Sequence, residues 1–221
     1  MRSDISNRAA TIQPEPRWPA VIGIVAIGVL YLTLPERLTF GPNWLLLVVV
    51  VVLLVPTTAA HRLGKVRANF VLGVILSSVI TAALVWSLSM LIAGLPNKRE
   101  SPVELLRSAV ALWASNVLVF ASWYWRLDAG GPNERRLRET HTDGAFLFPQ
   151  MTIRPKPGSS GPSPWKPGFV DYLFLAFNTS TAFSPTDVPV LSRWAKVLMM
   201  IQSVISLGTI AILAARAINI L

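Results

Sequence analysis

Residues 170–183 read Val-Asp-Tyr-Leu-Phe-Leu-Ala-Phe-Asn-Thr-Ser-Thr-Ala-Phe, and Ser184-Pro185-Thr186-Asp187-Val188-Pro189 follow. The apolar part is too short to cross a bilayer, because a hydrocarbon core of about 30 Å needs roughly 20 apolar residues in a helix. Apolar segments of about 10 to 14 residues are often re-entrant or interfacial instead. Pro167-Gly168 stops any earlier helix, and Asp171 is placed to cap a new one and to favour its positive end. The segment closes on a polar cluster, Asn178, Thr179, Ser180 and Thr181. A short helix over about 171–181 is therefore predicted, breaking into extended backbone before Pro185. Irregular backbone at membrane depth is tolerated only where it is buried in protein or faces a water-filled cavity.

The rest of the chain supplies the membrane setting. Of its 221 residues 52% are hydrophobic and only 14% charged, with a mean hydropathy of +0.53. Soluble domains carry about 25% charged residues, so the composition is that of an integral membrane protein. Hydropathy places spans at residues 18–34, 44–60, 70–95, 108–125 and 194–221. The first is slightly short and suits a thin bilayer or interfacial anchoring. It is not read as a signal peptide, because the long polar stretch before it holds Asp4 and Glu15 and no small-residue cleavage site follows Leu34. Pro56 lies one turn from the end of the second span, where Thr57, Thr58 or a neighbouring helix can cover the missing hydrogen bond. Trp18, Trp44, Trp123, Trp125 and Trp194 all fall at span ends, as an aromatic belt does. The predicted fold is an all-α membrane bundle of five transmembrane helices plus one re-entrant, pore-type half-helix before the last.

The chain divides into a polar N-terminal tail (1–17), a four-helix region (18–125), a basic loop (126–169) and the half-helix with the final span (170–221). The loop holds seven Pro and six Gly in 44 residues, which preclude a helix ladder and a core of its own. It reads as a mobile surface loop with one apolar island, Phe146-Leu147-Phe148-Pro149, which either lies on the membrane, docks between helices or, as is commoner, is tacked to the protein surface. A cytoplasmic N-terminus puts 13 basic residues inside, among them Arg17, Arg62, Arg126 and Arg135, against four outside (Arg37, Lys98, Arg99, Arg107). The positive-inside rule thus favours that orientation, in the plasma or inner membrane.

From Trp165 onward the layout resembles the pore region of two-transmembrane potassium-channel pore-loop proteins: a short helix, a Thr-led turn ending in Asp, and an immediate last span. In that family the turn is Thr-Val-Gly-Tyr-Gly-Asp, whose carbonyls replace the hydration shell of K⁺. Here Thr181-Ala182-Phe183-Ser184-Pro185-Thr186-Asp187 has one extra residue and neither glycine. A residue with a Cβ adopts the needed backbone only at a cost, and Pro185 fixes φ near −65°. A standard K⁺-selective filter is therefore disfavoured. The resemblance implies instead a weakly selective cation pathway for monovalent ions, lined by Thr179, Ser180, Thr181, Ser184, Thr186 and Asp187, in a homo-oligomer that would be a tetramer. The charge count puts the half-helix on the cytoplasmic side, opposite to the entry side in that family. The whole chain is also similar to bacterial multi-span membrane proteins without an assigned activity.

Polar residues inside the spans bear on the same question. Gln202, Ser206 and Thr209 share one face of the last span, with Arg216 beyond Leu213. They either line a vestibule or pack against a neighbouring helix, packing being the commoner use of such residues. Arg216, near the chain end, is placed to snorkel. Ser108, Ser115 and Ser122 mark a close helix contact, with the last span or another subunit, and Asn116 is expected to bond across helices. No span centre carries Asp, Glu, Lys or His, which disfavours a proton-coupled carrier. No catalytic motif is present, and zero Cys with only two His leaves no thiolate site and little for a metal. Asp128, Glu134, Glu139, His141 and Asp143 read as a solvated charge run in the loop. The sequence thus predicts no enzyme, no cofactor and no nucleic-acid partner. Two readings stay open: a pore-loop channel-like protein, or a non-conducting membrane scaffold or accessory subunit.

Overall fold

The computed structural model describes residues 16–94, 101–137, 144–152, 165–181 and 187–218. They form an all-helical protein. The main elements are α1 (Trp18–Tyr31), α2 (Leu45–Arg62), α3 (Val66–Gly94) and α4 (Pro102–Leu127). Two short helices follow, α5 (Pro132–Leu137) and α6 (Pro149–Thr152), then α7 (Phe169–Thr181) and α8 (Arg193–Ile218). The one β feature among the described residues is an isolated antiparallel bridge, Phe146 with Val190.

Four helices, α2, α3, α4 and α8, are long and apolar enough to cross a bilayer. Hydropathy alone predicts five spans; the helix over the first has only 14 residues, because the chain leaves the helical path after Tyr31 and turns through Glu36–Leu38. α4 is the central post. Two-thirds of its apolar stretch (67%) is buried inside the protein, against 17% for α2. α2 turns Val48, Val51, Val52 and Val55 outward, which is how a helix facing lipid tails is built. α1, α3, α7 and α8 all pack on α4.

Helix starts follow local chemistry. α4 begins with a full capping box: Ser101 Oγ accepts from Glu104 N–H at 3.2 Å, and the Glu104 carboxylate accepts from Ser101 N–H at 3.0 Å. With Pro102 in the first turn, the helix starts well before the hydropathy boundary at Ser108. In α7 the helix starts at Phe169, so Asp171 is its third residue and not the cap; its carboxylate reaches back to accept from Gly168 N–H at 2.8 Å.

The loop expectation needs correction at both ends. After α4, Ala129 (φ 50°), Gly130 (φ 79°) and Gly131 (φ 90°) reverse the chain. A Cβ on Gly131 would stand 2.6 Å from the Arg126 carbonyl, so glycine is required there. The apolar island is not a surface patch. Phe146 and Phe148 are buried, Phe146 stacking edge-on with Tyr124, Tyr172 and Trp194. Leu147 N–H to Pro189 O (3.0 Å) and Leu191 N–H to Ala145 O (2.8 Å) tie the island to the segment before α8. Aromatic burial outweighs the loop-like composition of the stretch as a whole.

Candidate functional site

α7 and α8 run side by side in the same direction. Their first turns meet at Phe146, which touches Tyr172 and Trp194, and deeper in the bundle Ala176 and Ser180 of α7 lie against Gln202 and Ser206 of α8. The start of α7 and the start of α8 therefore lie at the same end of the bundle.

The end of α7 is where the predicted site residues gather. A helix leaves its last four carbonyls without intrahelical partners. Ser206 Oγ donates to the carbonyl of Ser180 at 2.5 Å. Gln202 Nε2 donates to the carbonyl of Ala176 and to Ser180 Oγ, both at 2.7 Å. From α4, Asn116 Nδ2 donates to Ser180 Oγ (3.4 Å) and to the carbonyl of Gln202 (3.3 Å). Tyr124 donates its hydroxyl to Gln202 Oε1. Both amide hydrogens and the oxygen of Gln202 are thus occupied. Asn116, Ser180 and Gln202 have no exposed surface, and Asn116 Oδ1 finds no partner among the described residues.

The junction is neutral and lies inside one chain. Gln202, Ser206 and Thr209, expected to line a vestibule or to pack, are all buried. Thr179, Thr181 and Thr209 turn their hydroxyls to carbonyls of their own helices, Leu175, Asn178 and Ile205. Asp187 is exposed. Ser184 and Thr186, the centre of the filter-like turn, lie outside the described residues, as does the Arg216 side chain. Asn116 bonds across helices as its polarity requires. Ser108, Ser115 and Ser122 are buried, the first two without a hydroxyl partner among the described residues.

A second junction, not foreseen from sequence, holds the entry of α7. Asp128 has no exposed surface; its carboxylate accepts from Tyr172 OH and from Ala145 N–H, each at 2.5 Å. It belongs to no solvated charge run. Arg135, 2% exposed, donates to the carbonyls of Trp125 (2.7 Å) and Asp128 (3.0 Å), closing the end of α4, and its guanidinium lies 5.0 Å from the Tyr172 ring centre. Glu134 is exposed, and Glu139, His141 and Asp143 lie outside the described residues. Among the described residues no group of three or more His, Asp or Glu side chains comes together to hold a metal ion.

Of the residues that complete these junctions, Tyr124, Asp128, Arg135 and Tyr172 carry weak sequence signals. The Gly130-Gly131 pair is the available hint that the chain folds back onto α4. No protein-family model, curated protein or solved structure matches this chain.

Proposed function

We propose that this is a multi-pass integral membrane protein of pore-loop layout that does not conduct, serving as a membrane scaffold or accessory subunit. In this reading α1 is a fifth, thin crossing anchored by Trp18, and α7 is a re-entrant half-helix. The end of the bundle bearing Arg17, Arg62, Arg126 and Arg135 faces the cytoplasm.

One observation carries the reading. The side chains that would have to face an aqueous pathway, Ser180, Gln202 and Ser206, are turned into a single protomer and spent on one another and on the end of α7. Beyond the first turn of α8, where Arg193 and Lys196 are exposed, the large side chains that α7 and α8 leave uncovered are apolar: Phe174 and Phe177, then Met200, Ile201, Val204 and Leu207. A central passage walled by that surface would shed water rather than hold it.

The channel reading keeps one observation in its favour. The parallel run of α7 and α8 from one end of the bundle, with the exposed Asp187 between them in the chain, is compatible with the layout a pore loop needs.

Because the chain has no cysteine, one experiment separates the two. Single cysteines at Ser180, Asp187, Ser206 and Thr209 are reconstituted in liposomes and treated with a small charged thiol reagent. The scaffold reading expects labelling at position 187 alone and no cation flux. Labelling at 206 and 209, with flux that the reagent blocks, would replace it with a cation pathway.

A further inference from the structure

At the end of the bundle where α1 begins and α4 ends, a cavity of about 160 Å³ opens among α1, α2, α3 and α4. At the helix ends its lining is basic and polar, with Arg17, His61, Arg62, Asn69 and Arg126. Further along the helices it passes through Thr57 and Thr58 to the apolar Ala20, Val21, Ile24 and Leu54. Among the described residues no Asp or Glu lines it.

Arg126 is the unusual member. It is 4% exposed, yet among the described residues its guanidinium makes a single hydrogen bond, from Nη1 to the main-chain carbonyl of Asn69 at 3.2 Å, and its Nε–H meets no acceptor there. It is wedged against Gly73 and lies 5.6 Å from the Trp125 ring centre. A buried cation is costly unless a counter-charge and hydrogen-bond acceptors meet it. A second guanidinium, that of Arg17, reaches the same asparagine. Arg17 Nη1 donates to Asn69 Oδ1 at 3.4 Å, so two positive charges hold the same asparagine, one by its side chain and one by its backbone. Arg17 Nη2 donates to another neutral amide, Asn133 Oδ1, at 2.5 Å. The adjoining cavity, on the far side of Arg126 and Asn69, does carry a carboxylate, Glu134, but that side chain is exposed.

From these contacts we propose that the cavity binds the phosphate of an anionic phospholipid, with Arg126 and Arg17 as the phosphate ligands. The volume is roughly five times the share of one water in the liquid, enough for a phosphate and the start of its glycerol but not for a whole lipid. The lining changes from guanidinium to aliphatic across one small space, which matches a phosphodiester joined to an acyl body better than a free anion. Its position at the end of the membrane-crossing helices is where headgroups lie, and basic pockets between helices at this level bind anionic headgroups in general. The inference is independent of whether the chain conducts.

The test uses the full-length protein in neutral detergent micelles, following thermal unfolding while dioleoyl phosphatidylglycerol, dioleoyl phosphatidylcholine or inorganic phosphate is titrated. A ligand of the folded state raises the unfolding temperature with concentration. The expected result is a saturable rise with phosphatidylglycerol alone. Arg126→Gln should weaken the apparent lipid affinity about tenfold, the loss of one charge-assisted contact. Arg17→Gln, at a half-buried position that the fold tolerates better, should weaken it similarly even if Arg126→Gln does not fold. Arg67→Gln, exposed at the same end, should leave it unchanged. Equal rises with phosphatidylcholine, an equal rise with phosphate alone, or an Arg17→Gln protein that keeps its full lipid response would each overturn the assignment.

Discussion

Tyr172 donates its hydroxyl to Asp128 Oδ2 at 2.5 Å, and so fastens the first turns of α7 to the segment that ends α4. The other oxygen of the same carboxylate accepts from Ala145 N–H and holds the Phe146 island in place. One buried side chain therefore sets both the start of α7 and the contact beneath the start of α8.

Asp128→Ala should destabilise the protein by about 3 kcal/mol, because it removes the acceptor that a buried hydroxyl and a buried N–H share. Asp128→Asn keeps an acceptor and should cost clearly less. Equilibrium unfolding in mixed micelles measures both. Hydrogen exchange at Ala145 and Leu147 should quicken in the alanine variant, and unchanged exchange there would mean that the carboxylate does not hold the island.

Gln202→Leu should cost about 1–3 kcal/mol. Interhelical hydrogen bonds in membranes average well under 1 kcal/mol each, but this change removes three contacts, strips the Tyr124 hydroxyl of its acceptor and leaves Ser180 Oγ only the longer contact from Asn116. In a double-mutant cycle Gln202→Leu and Tyr124→Phe should be strongly non-additive, since the second removes a group that the first has already orphaned. Additive effects in unfolding titrations would show that the two do not act as a pair.

The spacing of Gln202, Ser206 and Thr209 alone puts them on one helix face, and the polar end of the segment at 178–181 marks where a short helix must find partners. That much of the fold and of the site is local and legible. Which helix supplies the partners is not, because Tyr124 and Asn116 meet Gln202 only through the relative rotation of α4 and α8. Asp128 and Arg135 are hidden for another reason: averaged over residues 126–169, Pro and Gly dominate, while the burial of this end is decided by Phe146, Tyr172 and two charged side chains. The start of α4 is a third kind of case. Glu104 and Arg107 depress its hydropathy, whereas the Ser101-Pro102-Val103-Glu104 signature marks the start correctly.

Ser101→Ala should remove half of that capping box and cost about 1 kcal/mol. Glu104→Gln keeps a side-chain acceptor for Ser101 N–H and should cost less. Thermal unfolding of the two variants in one detergent ranks them. A neutral Ser101→Ala would mean that the first turn of α4 adds nothing to stability, and that the central helix is held by its packing alone.

Gly73→Ala tests how tightly Arg126 is seated. A Cβ at that position would overlap Cζ and Nη1 of the guanidinium, which is walled in and can move only by giving up its bond to the Asn69 carbonyl. Overpacking of this kind costs about 1–3 kcal/mol. Gly94→Ala is the matched control on the same helix: no described atom lies within 4 Å of its new methyl group, and alanine is the better helix former, so stability should hold or rise slightly. If the two variants unfold at the same temperature, the guanidinium is free to swing out of its seat, and Gly73 is small for some reason other than the close approach of Arg126.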